Sequence, residues 1–398
     1  VTTLVDRVRT RLAEDGHEPT PAAVADAVRA ESGGVASDLD VLAALRVLRE
    51  ELVGAGPLDP LLRDPRTTDV LVSGGGIVRV DRGAGLEPAP VRLPDESAVR
   101  RLAQRLALAA GRRLDDASPY VDGWLAGGPG GSGGSRGVRL HAVLAPVAVD
   151  GTCLSLRVLR PAAHDLGSLT RLGTLEPAAE QLLRAVVAAR LAVLVSGGTG
   201  SGKTTLLAAL LGAVDPAERI LTVEDAQELQ PRHPQVVRLV ARPANIEGAG
   251  GVSLRDLLRQ ALRMRPDRVV VGEVRGGEVC DLLSALNTGH DGGAGTVHAN
   301  SVREVPARLE ALAALGGMER AALHSQLAAA VQVVLHMRRT PRGRVLEAVG
   351  VLGRQTSAGP AEVVVRPVWE RGRGWTADRD HLDRLLAERG VPAPWSAS

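Results

Sequence analysis

The stretch GGTGSGKTTLL at residues 197–207 sets small and hydroxyl-bearing residues around one amine, in the spacing Gly197-x4-Gly202-Lys203-Thr204. Gly197, Gly198, Gly200 and Gly202, with Thr199 and Ser201 between them, leave backbone N–H groups room to close around phosphate oxygens. A helix beginning at Lys203 adds the positive potential of its N-terminus. Lys203 can then reach the β- and γ-phosphates of a nucleoside triphosphate, Thr204 offers its hydroxyl to Mg²⁺, and Thr205 carries the loop into the helix. An apolar strand pattern precedes the motif and a helical pattern follows it, which is the context the chemistry requires. Lys203 is also the only lysine in 398 residues. A compact ammonium fits between phosphates inside a narrow loop, where a planar guanidinium is too wide.

Holding a phosphate is not yet hydrolysing it, and hydrolysis needs a carboxylate that orients water. Glu273 ends the apolar run RVVVGE, so it falls at the carboxyl edge of a sheet, where ligands of open α/β folds bind. Glu224, Asp225 and Glu228, in LTVEDAQEL, end a second apolar run. They form a set of acids that could hold Mg²⁺ through water, although any of them could equally cap a helix. NTGHDGGAGTVHANS adds His290 and His298. Their spacing and the lack of further ligands make zinc a poor fit, and a neutral imidazole donating to a γ-phosphate oxygen suits them better. Arg139, Arg157 and Arg160 could neutralise nucleotide phosphates, but in so arginine-rich a chain a solvated face is the plainer reading.

The elements that must position these groups can be read from hydrophobic period. Residues 1–55 form a helical segment, with apolar positions at helical spacing in DLDVLAALRVLREELVGAG. Residues 56–160 alternate as short strands with one helix near 95–110, giving a modest N-terminal α/β domain whose glycine-rich insertion at 126–137 has the composition of a loop. A turn-rich linker spans 161–175. From 176 to 340, LAVLVSG, RILTVED, VVRLVA, RVVVGE and GAGTVHA alternate with helices. Several of these strands are apolar at consecutive positions, as strands covered on both faces must be, so the fold class is α/β with a mostly parallel sheet. Residues 341–398 carry short strands and a last helix.

Composition narrows the function. The 48 basic and 46 acidic residues nearly cancel, and aromatics are scarce, which argues against a nucleic-acid partner. Cys153 and Cys280 read as isolated free thiols. No apolar run is long enough to cross a membrane, so a membrane role is expected to be peripheral.

Taken in order, GAGPLDPLLRDPRTTDVLV, GGTGSGKTTLL, VEDAQELQ and RQALRMRPDRVVVGEVRGGEVCDLLSALNTGHDGGAGTVHANS resemble the secretion-type traffic ATPases of type II and type IV systems. Within them the resemblance, over about 45–350, is to the CpaF/TadA branch that powers Tad (tight adherence) pilus assembly. By that resemblance 197–204 is the Walker A loop, Glu224 to Glu228 the Asp box, Glu273 the Walker B glutamate and Gly289 to His298 the His box. Arg139, Arg157 and Arg275 would bind ATP together with the loop. The resemblance further implies a RecA-like P-loop ATPase domain behind the N-terminal α/β domain, in a homohexameric ring that uses ATP and Mg²⁺. The ring would be cytoplasmic and peripheral at the inner face of the cytoplasmic membrane, acting on polytopic inner-membrane platform proteins without direct nucleic-acid contact. The tetracysteine zinc motif of many type II secretion ATPases is absent. A conjugation-type secretion ATPase and a nucleotide-responsive scaffold with little turnover are the other readings.

Overall fold

The computed structural model describes residues 7, 8, 11, 21–31, 54–125, 137–159, 164–242, 244, 249–355 and 362–395. Most of the expected helical preface, the body of the glycine-rich insertion and Arg160 lie outside the described residues. The chain divides into two compact units, Val1–Arg160 and Pro161–Ser398.

In the first unit β1 (Asp69–Ser73), β2 (Ile77–Asp81), β3 (Leu86–Arg92), β4 (Tyr120–Leu125), β5 (Gly137–Val143) and β6 (Cys153–Leu159) form one sheet in the order β3-β2-β1-β6-β5-β4. Every neighbouring pair is antiparallel. The helix Glu96–Ala109 starts where the Asp95 carboxylate accepts from Ala98 N at 2.7 Å, a side-chain cap for an otherwise unmet backbone donor. Its Val99, Leu102 and Leu106 pack with Val70, Leu140 and Leu156 of the sheet. Strand alternation therefore sends Asp69, Arg139 and Arg157 to the other face.

The second unit is built on a nine-stranded sheet. Its strands are β7 (Val193–Gly197), β8 (Ile220–Glu224), β9 (Val236–Val240), β10 (Arg268–Val274), β11 (Ala294–Val297), β12 (Val333–Thr340), β13 (Gly343–Gln355), β14 (Glu362–Glu370) and β15 (Gly374–Trp375), in the order β15-β14-β13-β12-β7-β11-β10-β8-β9. From β12 to β9 all pairings are parallel; β13, β14 and β15 extend the same sheet antiparallel. The fold is thus α/β with a mostly parallel sheet, as the alternating pattern predicts.

Helices cover both faces. On one side Leu182, Leu206, Leu207 and Leu382 pack against Val195, Val270 and Leu335. On the other, Leu258, Leu282, Leu309 and Leu323 pack against Leu194, Val223 and Val271. Burial on both faces is why β7 and β8 read as unbroken apolar runs rather than alternating ones. Among the described residues no helix is long and apolar enough to cross a membrane.

Candidate nucleotide site

The loop 197–202 leaves β7 at the carboxyl edge of the parallel strands and enters the helix Lys203–Leu211. Gly197 is required by space as well as by conformation: a Cβ there would lie 2.3 Å from the Met337 carbonyl oxygen of β12. Gly202, at φ +97°, turns the chain into the helix in a left-handed conformation that favours glycine. Lys203 is only 8 % exposed, and its Nζ donates to the carbonyls of Gly197 and Gly198, each at 3.0 Å. Burial lowers its pKa, with Glu273 and Glu228 acting in the opposite sense. An ammonium turned into the loop and ringed by acceptors is poised to exchange those carbonyls for phosphate oxygens.

A basic residue that sequence reasoning passed over also lies on this loop. Arg344 of β13 donates Nε–H to the Gly200 carbonyl at 2.8 Å, and its stem lies over Gly202. In a planar trans peptide the Gly200 carbonyl and the Ser201 N–H point in opposite directions, so holding the one outward keeps the other turned into the loop. Arg344 is one of 47 arginines and stands far from the loop in sequence. Only the pairing of β12 with both β7 and β13 brings it here.

Glu273, near the end of β10, has its carboxylate held from two sides. Its Oε1 lies 2.5 Å from His298 Nε2, and its Oε2 accepts from Arg275 Nε at 2.8 Å and from the same guanidinium's Nη2. Burial, then Lys203, lowers the His298 pKa, against the pull of Glu273. These effects favour the neutral imidazole at His298. The same Arg275 lies 3.5 Å from Asp225 Oδ2.

The acids at 224–228 separate into different roles. Glu228 Oε2 is the carboxylate oxygen at the Thr204 hydroxyl, 3.5 Å away. Glu224 is 3 % exposed and its Oε1 accepts from the backbone N–H of Glu228 at 3.2 Å and of Leu229 at 2.9 Å. Burial pushes its pKa up to about 7, against the pull of those two N–H groups. The expectation that Glu224 and Asp225 join Thr204 around Mg²⁺ is thus not what the geometry brings together. Glu224 Oε1 accepts from the turn that leads into Glu228, and Asp225 lies against Arg275.

The two histidines also part. His298 follows the carboxyl end of β11, whereas His290 precedes its first residue, and strand β11 runs parallel to β7 between them. His290 Nδ1 lies 3.1 Å from the Ala285 carbonyl, and its neighbour Asp291 pairs with Arg389. His290 therefore sits at the sheet edge opposite the loop, and a γ-phosphate contact is not supported for it. The spacing of eight residues concealed this, because a short strand occupies the interval. In the first unit Arg139 and Arg157 are cross-strand partners, paired with Asp122 and Asp69 respectively.

The donor set fits a nucleotide and a magnesium ion. The glycine loop and Lys203 form a cradle that a Cβ at Gly197 would fill, and Thr204 with Glu228 would hold the ion. Among the described residues no group of three His, Cys, Asp or Glu could hold a metal alone, so phosphate oxygens and water would complete the shell.

A Mycobacterium tuberculosis protein provisionally named for conjugal transfer is 64% identical over 354 residues, covering 88% of this chain and 98% of that protein. The Sinorhizobium fredii protein named probable conjugal transfer protein TrbB is 31% identical, over 71% of this chain and 82% of its own length. Among solved structures, the pilus retraction motor PilT with bound ADP matches at a TM-score of 0.51 and 22% identity, over 81% of this chain and 84% of that one. The Legionella pneumophila ATPase DotB matches at 0.51 and 20%, over 74% and 78%; at such identities these two speak for the fold alone. Residues 51–356 match the model of the type II/IV secretion system proteins, and with that span and those relatives the chain belongs to this family.

Proposed function

We propose that the chain hydrolyses MgATP and uses the energy to move protein within a type II/IV secretion-type machine. The observation that carries this reading is Glu273, whose carboxylate is fixed between His298 and Arg275 and close enough to Lys203 to act on its charge. A scaffold that merely bound nucleotide would need the loop but not this acid. Lys203 exchanges the Gly197 and Gly198 carbonyls for β- and γ-phosphate oxygens. Glu273 accepts a proton from a water as its oxygen bonds to the γ-phosphorus and the bond to the bridging oxygen breaks, leaving ADP and phosphate. His298 gives Nε2–H to the developing charge or to Glu273. Thr204 and Glu228 would hold Mg²⁺, which would supply positive charge against the phosphates.

Two settings for the work suit this site. Assembly of a Tad-type pilus follows from the sequence resemblance. A conjugation-type export machine is favoured by the names of the relatives at 64% and 31% identity. Either setting carries a homohexameric ring at the cytoplasmic face of the membrane, acting on polytopic platform proteins, with Arg275 assigned to nucleotide binding. Scoring a gene deletion for piliation and for conjugal transfer separates them. The hydrolytic assignment is tested with Glu273→Gln, which should bind a fluorescent ADP analogue within about twofold of wild type and lose steady-state turnover by about a hundredfold or more. Undiminished turnover in that variant overturns the assignment.

A further inference from the structure

Strand β10 does not run straight to Glu273. Val269 and Val271 face the core lined by the helix Glu278–Leu286, and so does Val274, whereas Val270 faces the core lined by Lys203–Leu211. In an unbroken strand Val274 would share the side of Val270, because side chains alternate. The β10 register against β11 shifts at this place, passing from Val271 opposite Gly295 to Val274 opposite Val297. Two residues of β10 thus stand against Thr296 alone, which is a β-bulge. The bulge reverses the alternation, and Glu273 moves from the side of Val271 to the side where the helix from Lys203 packs.

β11 keeps its alternation, with Ala294 on the Lys203–Leu211 side and Val297 on the other. Thr296 and His298 therefore share the side that Glu273 reaches. The Thr296 side chain is 1 % exposed, and its hydroxyl donates to the Gly272 carbonyl at 2.7 Å. Neither neighbouring strand holds Gly272 or Glu273 in register. A partly buried carbonyl at a break in the ladder is stabilised by a donor, and the Thr296 hydroxyl is that donor.

We infer that Thr296 is a positioning residue for hydrolysis: its hydroxyl pins the β10 bulge and so holds Glu273 on the phosphate-loop side of the sheet. This rests on the hydrolytic reading above and deepens it. Thr296, itself buried, acts through the backbone of Gly272. Removing the hydroxyl should spare nucleotide binding, which the loop provides, and impair the step that needs Glu273 in place.

The test compares full-length wild type with Thr296→Val, which keeps shape and loses the hydroxyl, and Thr296→Ser, which keeps the hydroxyl. Turnover at saturating MgATP, affinity for a fluorescent ADP analogue and thermal melting are measured for each. Thr296→Val should lose about tenfold to a hundredfold in turnover, as a displaced catalytic group does, with ADP affinity within about twofold. Thr296→Ser should restore turnover to within a few-fold of wild type. If Thr296→Val does not fold, Thr296→Ala carries the same comparison. Wild-type turnover in the Val or Ala variant, or an equal loss in the Ser variant, overturns this inference and leaves the hydrolytic reading standing. A wild type that binds nucleotide without any turnover, alone and with its membrane partners, overturns both.

Discussion

Glu224 illustrates how a residue type seen at a strand end can take a role other than the one its chemistry suggests. Its carboxyl is buried, with Oε1 committed to the turn at 228–229 and Oε2 without a hydrogen-bond partner among the described residues. Desolvation carries its pKa from 4.5 to about 7. A folded-state value above the unfolded one means that the native state holds this proton more tightly. The linked stability is full below about pH 4.5, declines as pH rises and is gone above about 7, and over that range it amounts to about 3 kcal/mol at most. Urea unfolding at steps from pH 5 to 8 should show this decline in wild type. The Glu224→Gln variant cannot ionise but keeps an acceptor for the two N–H groups, and it should show a flatter profile. An identical slope in both proteins would remove Glu224 from the account. The sequence made the acid visible but could not show its burial, because burial here depends on β8 lying beside β10. Lys203 and the loop were legible for the opposite reason, since all their parts are adjacent in sequence.

At the scale of elements, the site depends on close packing between neighbouring strands. A methyl added at Gly272 would come within 2.7 Å of Glu224 Cγ and 3.0 Å of its Oε1, so the bulge that presents Glu273 also makes room for that acid. Gly272→Ala should therefore cost about 1–3 kcal/mol in urea unfolding, the usual range for overpacking a filled interior. The cause can be isolated. In a Glu224→Ala background the colliding atom is gone, and the cost of Gly272→Ala should shrink by at least about 0.5 kcal/mol, the coupling expected of residues in contact. Additive costs would place the clash elsewhere. Apolar runs and turn residues made these strands readable as strands. The bulge was not readable, because VVVGEV gives no sign of where alternation slips. Thr296 and Arg344 escaped for the same reason: each acts on a backbone carbonyl of another strand or loop, and no spacing rule connects them.

For the molecule as a whole, the apolar cores respect the division at 160/161. The first unit's core runs from Ala55 to Val158, and the two cores of the second unit lie between Leu166 and Leu386. The stretch after Pro161 reads as a turn-rich linker, but its described part carries the helix Leu166–Arg171, whose Leu166 and Leu169 are buried in the second unit's core. The strands after 341 are longer than the short ones expected there, 13 residues in β13 and 9 in β14, and they gave no signal of the sheet they join, because an antiparallel extension looks the same in sequence whichever edge accepts it. They prove to be tied to the phosphate loop through β12 and Arg344. They also reach the segment before the helix Pro177–Ala188, where Leu346 N donates to the Thr174 carbonyl and Arg371 to the carbonyls of Gly173 and Thr174. A unit with its own core and internal hydrogen bonds is able to fold alone. Residues 161–398, expressed without the first unit, should unfold in one cooperative transition and bind a fluorescent ADP analogue within about tenfold of the full chain, because the loop, Lys203, Thr204 and Arg344 all lie within that fragment. Ending the fragment at 341 should abolish cooperative unfolding, since it strips β13 from β12 and exposes the apolar residues that face Val349, Val351 and Trp369. A shortened fragment that melts like the longer one would show that the antiparallel strands are an appendage rather than part of the nucleotide-binding fold.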